Sequence, residues 1–379
     1  MKKLLTKTLV LAAIVATTFS CQSQNSPKYT EEELQLRKEI AQMLMVGFRG
    51  TTLTKENHIY NDIKELKIGG VILFEYDAPS RKRPRNITSR SQLKKLCTDL
   101  QSLNEEKLLI AIDQEGGKVT RLREKYGFPR FASAKDMAAS GSTDSTAYWS
   151  DLTAKTLRNV GINLNFAPCT DVDVNPDCPI IGKLGRSFSS SPEEVAKHAK
   201  AWIEGHRKYR VLSCVKHFPG HGSSESDTHL GIADVSETWS DKELIPYRRL
   251  IKDNVVDMVM TSHVYNSKLD ADWPATLSEK VINGHLRKRL GFKGVVVTDD
   301  LAMGAMVSQY SFDTILTRAI LAGADILCLS NNGDAYDPEI AAKAIDIITE
   351  KVKDGTIPES RIHESYQRIL ELKKKIGTK

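Results

Sequence analysis

The sequence predicts a single (β/α)8 barrel of the TIM type, and three observations predict it. Eight short apolar runs recur along the chain, without the polar alternation of a sheet that has one wet face. Amphipathic helical patterns with readable starts lie between several of them. No linker, repeat or shift in composition divides residues 31 to 379. One unbroken strand–helix series of this length fits a closed barrel better than an open doubly wound sheet.

The runs are residues 44–48, 70–74, 108–113, 163–168, 212–218, 258–263, 295–299 and 326–330. The first is the least defined, because residues 32–45 also read as a helix. Ser191-Pro-Glu-Glu194 and Ser240-Asp-Lys-Glu243 read as capping boxes, the first with proline at the opening helical position. Ser278 starts a helix that ends at Leu290-Gly291, and Asp337-Pro-Glu starts one that reaches Lys353 before Gly355. A last helix, residues 360–375, is expected to pack on the outside of the barrel.

Ahead of the barrel, Lys2, Lys3 and Lys7 precede the apolar run 9–16 and then Thr-Thr-Phe-Ser-Cys21. Eight apolar residues are too few to cross a bilayer, and the order is that of a cleaved export signal. Cys21 after a small residue resembles the lipid-attachment site of bacterial lipoproteins, with Thr18 where leucine is usual. Residues 1–21 are therefore expected to be a lipoprotein signal peptide, with Cys21 the lipidated residue. Residues 22–30 read as a polar tether and 31–379 as the catalytic barrel. The expectation is an exported, monomeric, membrane-anchored protein of the bacterial cell envelope, with simple secretion as the alternative.

Half of the net charge of +6 sits on the three leader lysines, too little elsewhere to indicate a nucleic-acid partner. Five further cysteines, Cys97, Cys169, Cys178, Cys214 and Cys328, match no disulfide framework or zinc pattern. Cys214 and Cys328 fall inside apolar runs and read as buried thiols. Cys169 and Cys178 are open to pairing in an oxidising compartment.

Functional groups of such a barrel stand at the carboxyl ends of strands. Here the runs lead to Asp113 with Arg121 beyond it, to Asp171 and then Arg186, to Lys216-His217, to His263 and to Asp299. One such residue reads as a structural ion pair; several converging on one rim indicate a polar ligand. His217, His221 and His229 cluster in sequence, but Pro219-Gly220 breaks the helix that zinc ligands four apart require. No metal is expected. Gly116-Gly117-Lys118 lacks the upstream glycine of a phosphate loop.

At these residues the chain resembles glycoside hydrolase family 3, in its bacterial β-N-acetylglucosaminidase branch, over roughly residues 35 to 375. The carriers are Asp113-Gln-Glu-Gly-Gly-Lys-Val-Thr-Arg121, Gly161-Ile-Asn-Leu-Asn-Phe-Ala-Pro168, Gly185-Arg-Ser-Phe188, Lys216-His-Phe-Pro-Gly-His-Gly222, Asp227-Thr-His229 and Thr298-Asp-Asp-Leu301. The resemblance implies an exo-acting, retaining enzyme that removes terminal N-acetylglucosamine from a glycan without a cofactor. Asp299 would be the nucleophile. His229 would be the general acid and then the base, its ring held by Asp227. Asp113, Arg121, Arg186, Lys216 and His217 would bind the sugar hydroxyls. His263 is divided between substrate contact and a satisfied rim histidine.

Two stretches depart from the family: a basic loop with Arg81-Lys-Arg-Pro-Arg85, read by default as solvated, and the insert 175–184. Both lie on the leaving-group side, where they bear on the natural glycan more than on the reaction. A phosphorylase, a β-glucosidase and a non-catalytic sugar-binding lipoprotein are the alternatives. The chain stops too soon for the large second domain that supplies a glutamic acid in the two-carboxylate β-glucosidases.

Overall fold

The structure, a computed structural model, describes residues 29–228, 231–333 and 335–376. The leader, Cys21 and all but the end of the tether lie outside the described residues. Eight parallel strands form the barrel: β1 Leu44–Gly47, β2 Gly70–Leu73, β3 Leu109–Ile112, β4 Leu164–Asn165, β5 Leu212–Phe218, β6 Met258–Thr261, β7 Val295–Val297 and β8 Leu327–Leu329. Each pairs with its neighbours in chain order, and β1 pairs with β8. A single parallel bridge, Val297 to Ile326, joins β7 to β8. Every strand lies inside the apolar run expected for it. The polar residues that end several runs, Asp113, His263 and Asp299 among them, have left the ladder for the rim.

The ambiguity at residues 32–45 resolves into both elements. Helix Glu31–Gln42 starts at Thr30, whose hydroxyl accepts from the Glu33 N–H, and β1 follows two residues after its end. Gly47 closes the ring: a Cβ there would stand 1.8 Å from the Ser330 carbonyl oxygen, so only glycine lets β1 meet the end of β8. At the amino ends of the strands, buried Asp325 accepts from Arg287 at 2.6 Å, Arg368 at 3.0 Å and Arg361 at 3.2 Å. Residues at this face of a barrel serve stability.

Ser191 caps helix Pro192–Lys208 as expected, with its hydroxyl on the Glu194 N–H at 3.4 Å. Ser240 does not cap. Residues Asp241–Leu244 form a tight 3-10 turn, and the Glu243 side chain turns inward instead of back to the Ser240 N–H. That inward turn places a buried carboxyl beneath the loop after β5.

Candidate active site

At the carboxyl ends of the strands lies a cavity of about 470 Å³, with Asp113, Arg121, Arg186, Lys216, His217, Asp227 and Asp299 in its wall. A larger cleft, about 790 Å³, opens among Arg207, Asp257, Gly294 and Lys375 where β6 and β7 begin. Chemistry in this architecture belongs to the carboxyl face, so the smaller cavity is the candidate. It gathers seven of the eight residues singled out for catalysis or sugar binding. The eighth, His229, lies outside the described residues.

The floor is one ion network. Lys216 donates to Asp113 at 2.8 Å and lies 2.7 Å from Glu115. Arg186 grips Glu115 with two parallel bonds of 2.8 Å, and Arg121 stands 3.6 Å from Asp113. Burial pushes the Glu115 carboxyl up, but Arg186 and Lys216 outweigh it and hold the group well below the usual carboxylate range. Burial pushes Lys216 down, and the two carboxylates more than restore it. These charges are fixed before any ligand arrives, which makes them directional partners for neutral hydroxyls.

Glu115 escaped the sequence reading, although it stands two residues beyond Asp113 on the same strand end. Its replacement by alanine would leave Arg186 and Lys216 buried without their shared anion. The expected cost is about 3–5 kcal/mol in denaturant unfolding at pH 7 with an unchanged slope. A loss below about 1 kcal/mol would show that the cations find other partners. Because the folded-state carboxyl is depressed, its contribution is present above the unfolded value and lost as pH falls. The wild type should therefore lose more stability than the variant below about pH 4.

Asp171, three residues beyond Pro168, holds the next layer. Its Oδ2 pairs with His217 Nδ1 at 2.6 Å, and its two oxygens accept the His217 N–H at 3.2 Å. The His221 N–H donates to Oδ1 at 2.8 Å, and the Cys169 thiol donates to Oδ2 at 3.1 Å. Burial raises Asp171 and His217 outweighs it, so the carboxyl stays ionised. Cys169, Asp171 and His217 bring metal-type donor atoms within 4.8 Å of one another. Each already serves these hydrogen bonds, and Arg186 stands 3.3 Å from His217 Nε2, so the cluster is explained as an Asp–His pair. All five cysteines of the described residues are free and buried, Cys178 facing the His221 carbonyl oxygen at 3.6 Å.

At the end of β7 the adjacent aspartates divide their tasks. Asp300 turns to the backbone, accepting the Ser330 N–H at 3.0 Å and the Ala302 N–H at 3.1 Å. Asp299 is half-buried in the cavity wall, its Oδ1 accepting the Asp300 N–H at 2.8 Å. His263 is fully buried between the Thr276 hydroxyl and the Asp300 carbonyl oxygen, both at 2.9 Å. It is absent from the cavity wall and supports the backbone behind Asp299, the arrangement of a rim histidine.

The basic loop is only partly solvated. Arg85 is fully buried, bonded to Asp77, to Asn332 at 2.8 Å and to the Asn331 carbonyl at 2.9 Å. Arg83 reaches Glu75 at 2.9 Å, a carboxylate that Arg123 also meets at 2.9 Å. The default reading fails at Arg85, because the loop folds back so that this cation meets Asp77, just beyond β2, and the Ser330 and Asn331 carbonyls beyond β8. Arg81, Lys82 and Arg83 all remain exposed, Arg83 while holding Glu75.

Hydroxyl-rich ligands are held by charged partners that are themselves locked, and cutting an acetal calls for carboxylates facing it. A barrel that offers both on its carboxyl rim has the parts a glycoside hydrolase needs. Residues 35–372 match the family described as glycosyl hydrolase family 3 N terminal domain, and the chain belongs to that family. A protein of Alkalilimnicola ehrlichii named beta-hexosaminidase is 36% identical over 303 residues, covering 77% of this chain and 81% of its own. Of the similar solved structures, a family 3 beta-N-acetylglucosaminidase from Paenibacillus sp. shares 34% identity with a TM-score of 0.81. The match covers 91% of this chain and 64% of that one. The beta-N-acetylhexosaminidase from Beutenbergia cavernae shares 29% identity with a TM-score of 0.79, over 89% of this chain and 98% of its own.

Proposed function

We propose that the protein is an exo-acting, retaining β-N-acetylglucosaminidase that releases terminal N-acetylglucosamine from envelope or other glycans. The observation that carries this reading is the shared cavity: Asp299 and Asp227 stand in one wall with the locked Asp113–Lys216–Glu115–Arg186 network. Asp299 attacks the anomeric carbon while His229, its ring held by Asp227, protonates the departing oxygen. The same histidine, now neutral, takes a proton from the water that frees the sugar. Asp113, Arg121, Arg186, Lys216 and His217 orient the ring. None of these steps calls on a metal or an organic cofactor.

Nitrophenyl N-acetyl-β-glucosaminide should be cleaved far faster than the matching glucoside, at a rate independent of phosphate. Magnetic resonance should show the β-anomer formed first. An α-anomer first, or phosphate-dependent turnover to a sugar phosphate, would overturn the reading. Cys21 is proposed as the lipid anchor, with the enzyme monomeric at the cell envelope. Labelled palmitate should enter the wild type and not Cys21→Ser, and equal labelling would remove the anchor.

A further inference from the structure

The loop after β5 carries Asp227, with His229 two residues further along, and its first half is clamped from two sides. Above Gly222 lies the backbone of Val172: a Cβ on that glycine would stand 1.7 Å from the Val172 carbonyl oxygen. Below lies Glu243, the residue whose predicted capping role failed. Its Oε2 accepts the Gly222 N–H at 3.0 Å. Its side chain lies so close under Gly220, where φ is +124°, that a Cβ there would meet Glu243 Cβ at 2.6 Å. Trp239 pins the preceding Pro219 carbonyl oxygen at 3.1 Å. Glu243 is 1% exposed, and its Oε1 has no hydrogen-bond partner among the described residues. A polar oxygen buried unpaired is costly, so a role is needed to explain why an acid sits there.

We propose that Glu243 is a positioning residue, which holds the Gly220–Ser223 segment in place and so presents Asp227 and His229 to the departing oxygen. This rests on the assignment of that pair as the acid/base. The groups around the carboxyl suit a proton that stays on. Burial pushes it up to about 8, against the Ser223 hydroxyl and the Gly222 and Ser223 N–H groups nearby, which favour the anion; Asp171, in the loop after β4, pushes the same way as burial. Tyr247 on the following helix also acts on it, and His221 stands between the two clamped glycines, kept neutral by burial with its value pushed down to about 4. Ionisation above about pH 8 would put an unpaired charge under the loop.

The test compares Glu243→Ala and Glu243→Gln with the wild type on N-acetylglucosaminides of poor (phenyl) and good (dinitrophenyl) leaving groups. For kcat/KM, which reports cleavage of the glycosidic bond, the alanine variant should lose about tenfold or more with phenyl and under about twofold with dinitrophenyl. That pattern marks lost acid assistance. Glutamine should restore the phenyl rate at pH 7. With dinitrophenyl, where departure needs no acid, kcat of the wild type should fall above about pH 8 and that of Glu243→Gln should not. Equal losses for both leaving groups, an alanine variant like the wild type, or a glutamine variant with an unmoved alkaline fall would overturn the proposal. If alanine fails to fold, the glutamine profile decides alone. A wild type inactive on these sugars would instead sink the acid/base assignment, and this inference with it.

Discussion

Asp299→Ala is expected to abolish turnover, with kcat falling on the order of 10⁴-fold or more, as when a covalent nucleophile is removed. The reason is positional. Asp299 lies two residues beyond the end of β7, and the Asp300 N–H on its Oδ1 aims the other oxygen. Asp300 cannot substitute, because its carboxylate is committed to Ser330 and Ala302. Alanine should leave the barrel intact, so the variant should unfold at the wild-type denaturant midpoint. Added azide should then enter the emptied corner and restore some turnover from the face the carboxylate used, giving the α-azide. Near-normal rates without azide, or a β-azide, would remove Asp299 from the reaction.

His229→Ala is expected to slow hydrolysis of phenyl N-acetylglucosaminide by about 10²–10⁴-fold, the usual weight of a general acid. Bond cleavage with dinitrophenyl, whose oxygen leaves unprotonated, should suffer far less. Asp227→Asn should fall between wild type and His229→Ala, since the imidazole remains but loses the carboxylate that favours its protonated form. The loss should also remove the alkaline limb of kcat/KM for phenyl substrates. A variant slowed equally on both leaving groups would show that His229 binds the sugar instead of moving the proton.

Much of the barrel was legible because its causes are local. Strands such as 212–218 and 295–297 are buried on both faces, so they announce themselves as unbroken apolar runs. Ser191 with Pro192 marks a helix start by backbone chemistry that acts within four residues. The polar ends of the runs were equally plain, and Asp113, Lys216, His217 and Asp299 did converge on one rim. What failed were the pairings. Arg85 read as solvent-facing because a charge run does not show that its loop curls back so that Arg85 meets Asp77, nor that it folds over Asn331 and Asn332. Glu243 read as half of a capping box because Ser-x-x-Glu is satisfied locally as easily as it is ignored.

The amino-acid order by itself determined the barrel and most of the polar residues that stand at its mouth, because strand burial and helix capping are short-range effects. Only the tertiary structure decided which charge answers which: Arg186 with Glu115, Asp171 with His217, Glu243 with Gly222. Those partners lie tens of residues apart along the chain. A buried charge takes whatever counter-group the closed ring brings within about 3 Å, and no pattern along a linear chain encodes that meeting.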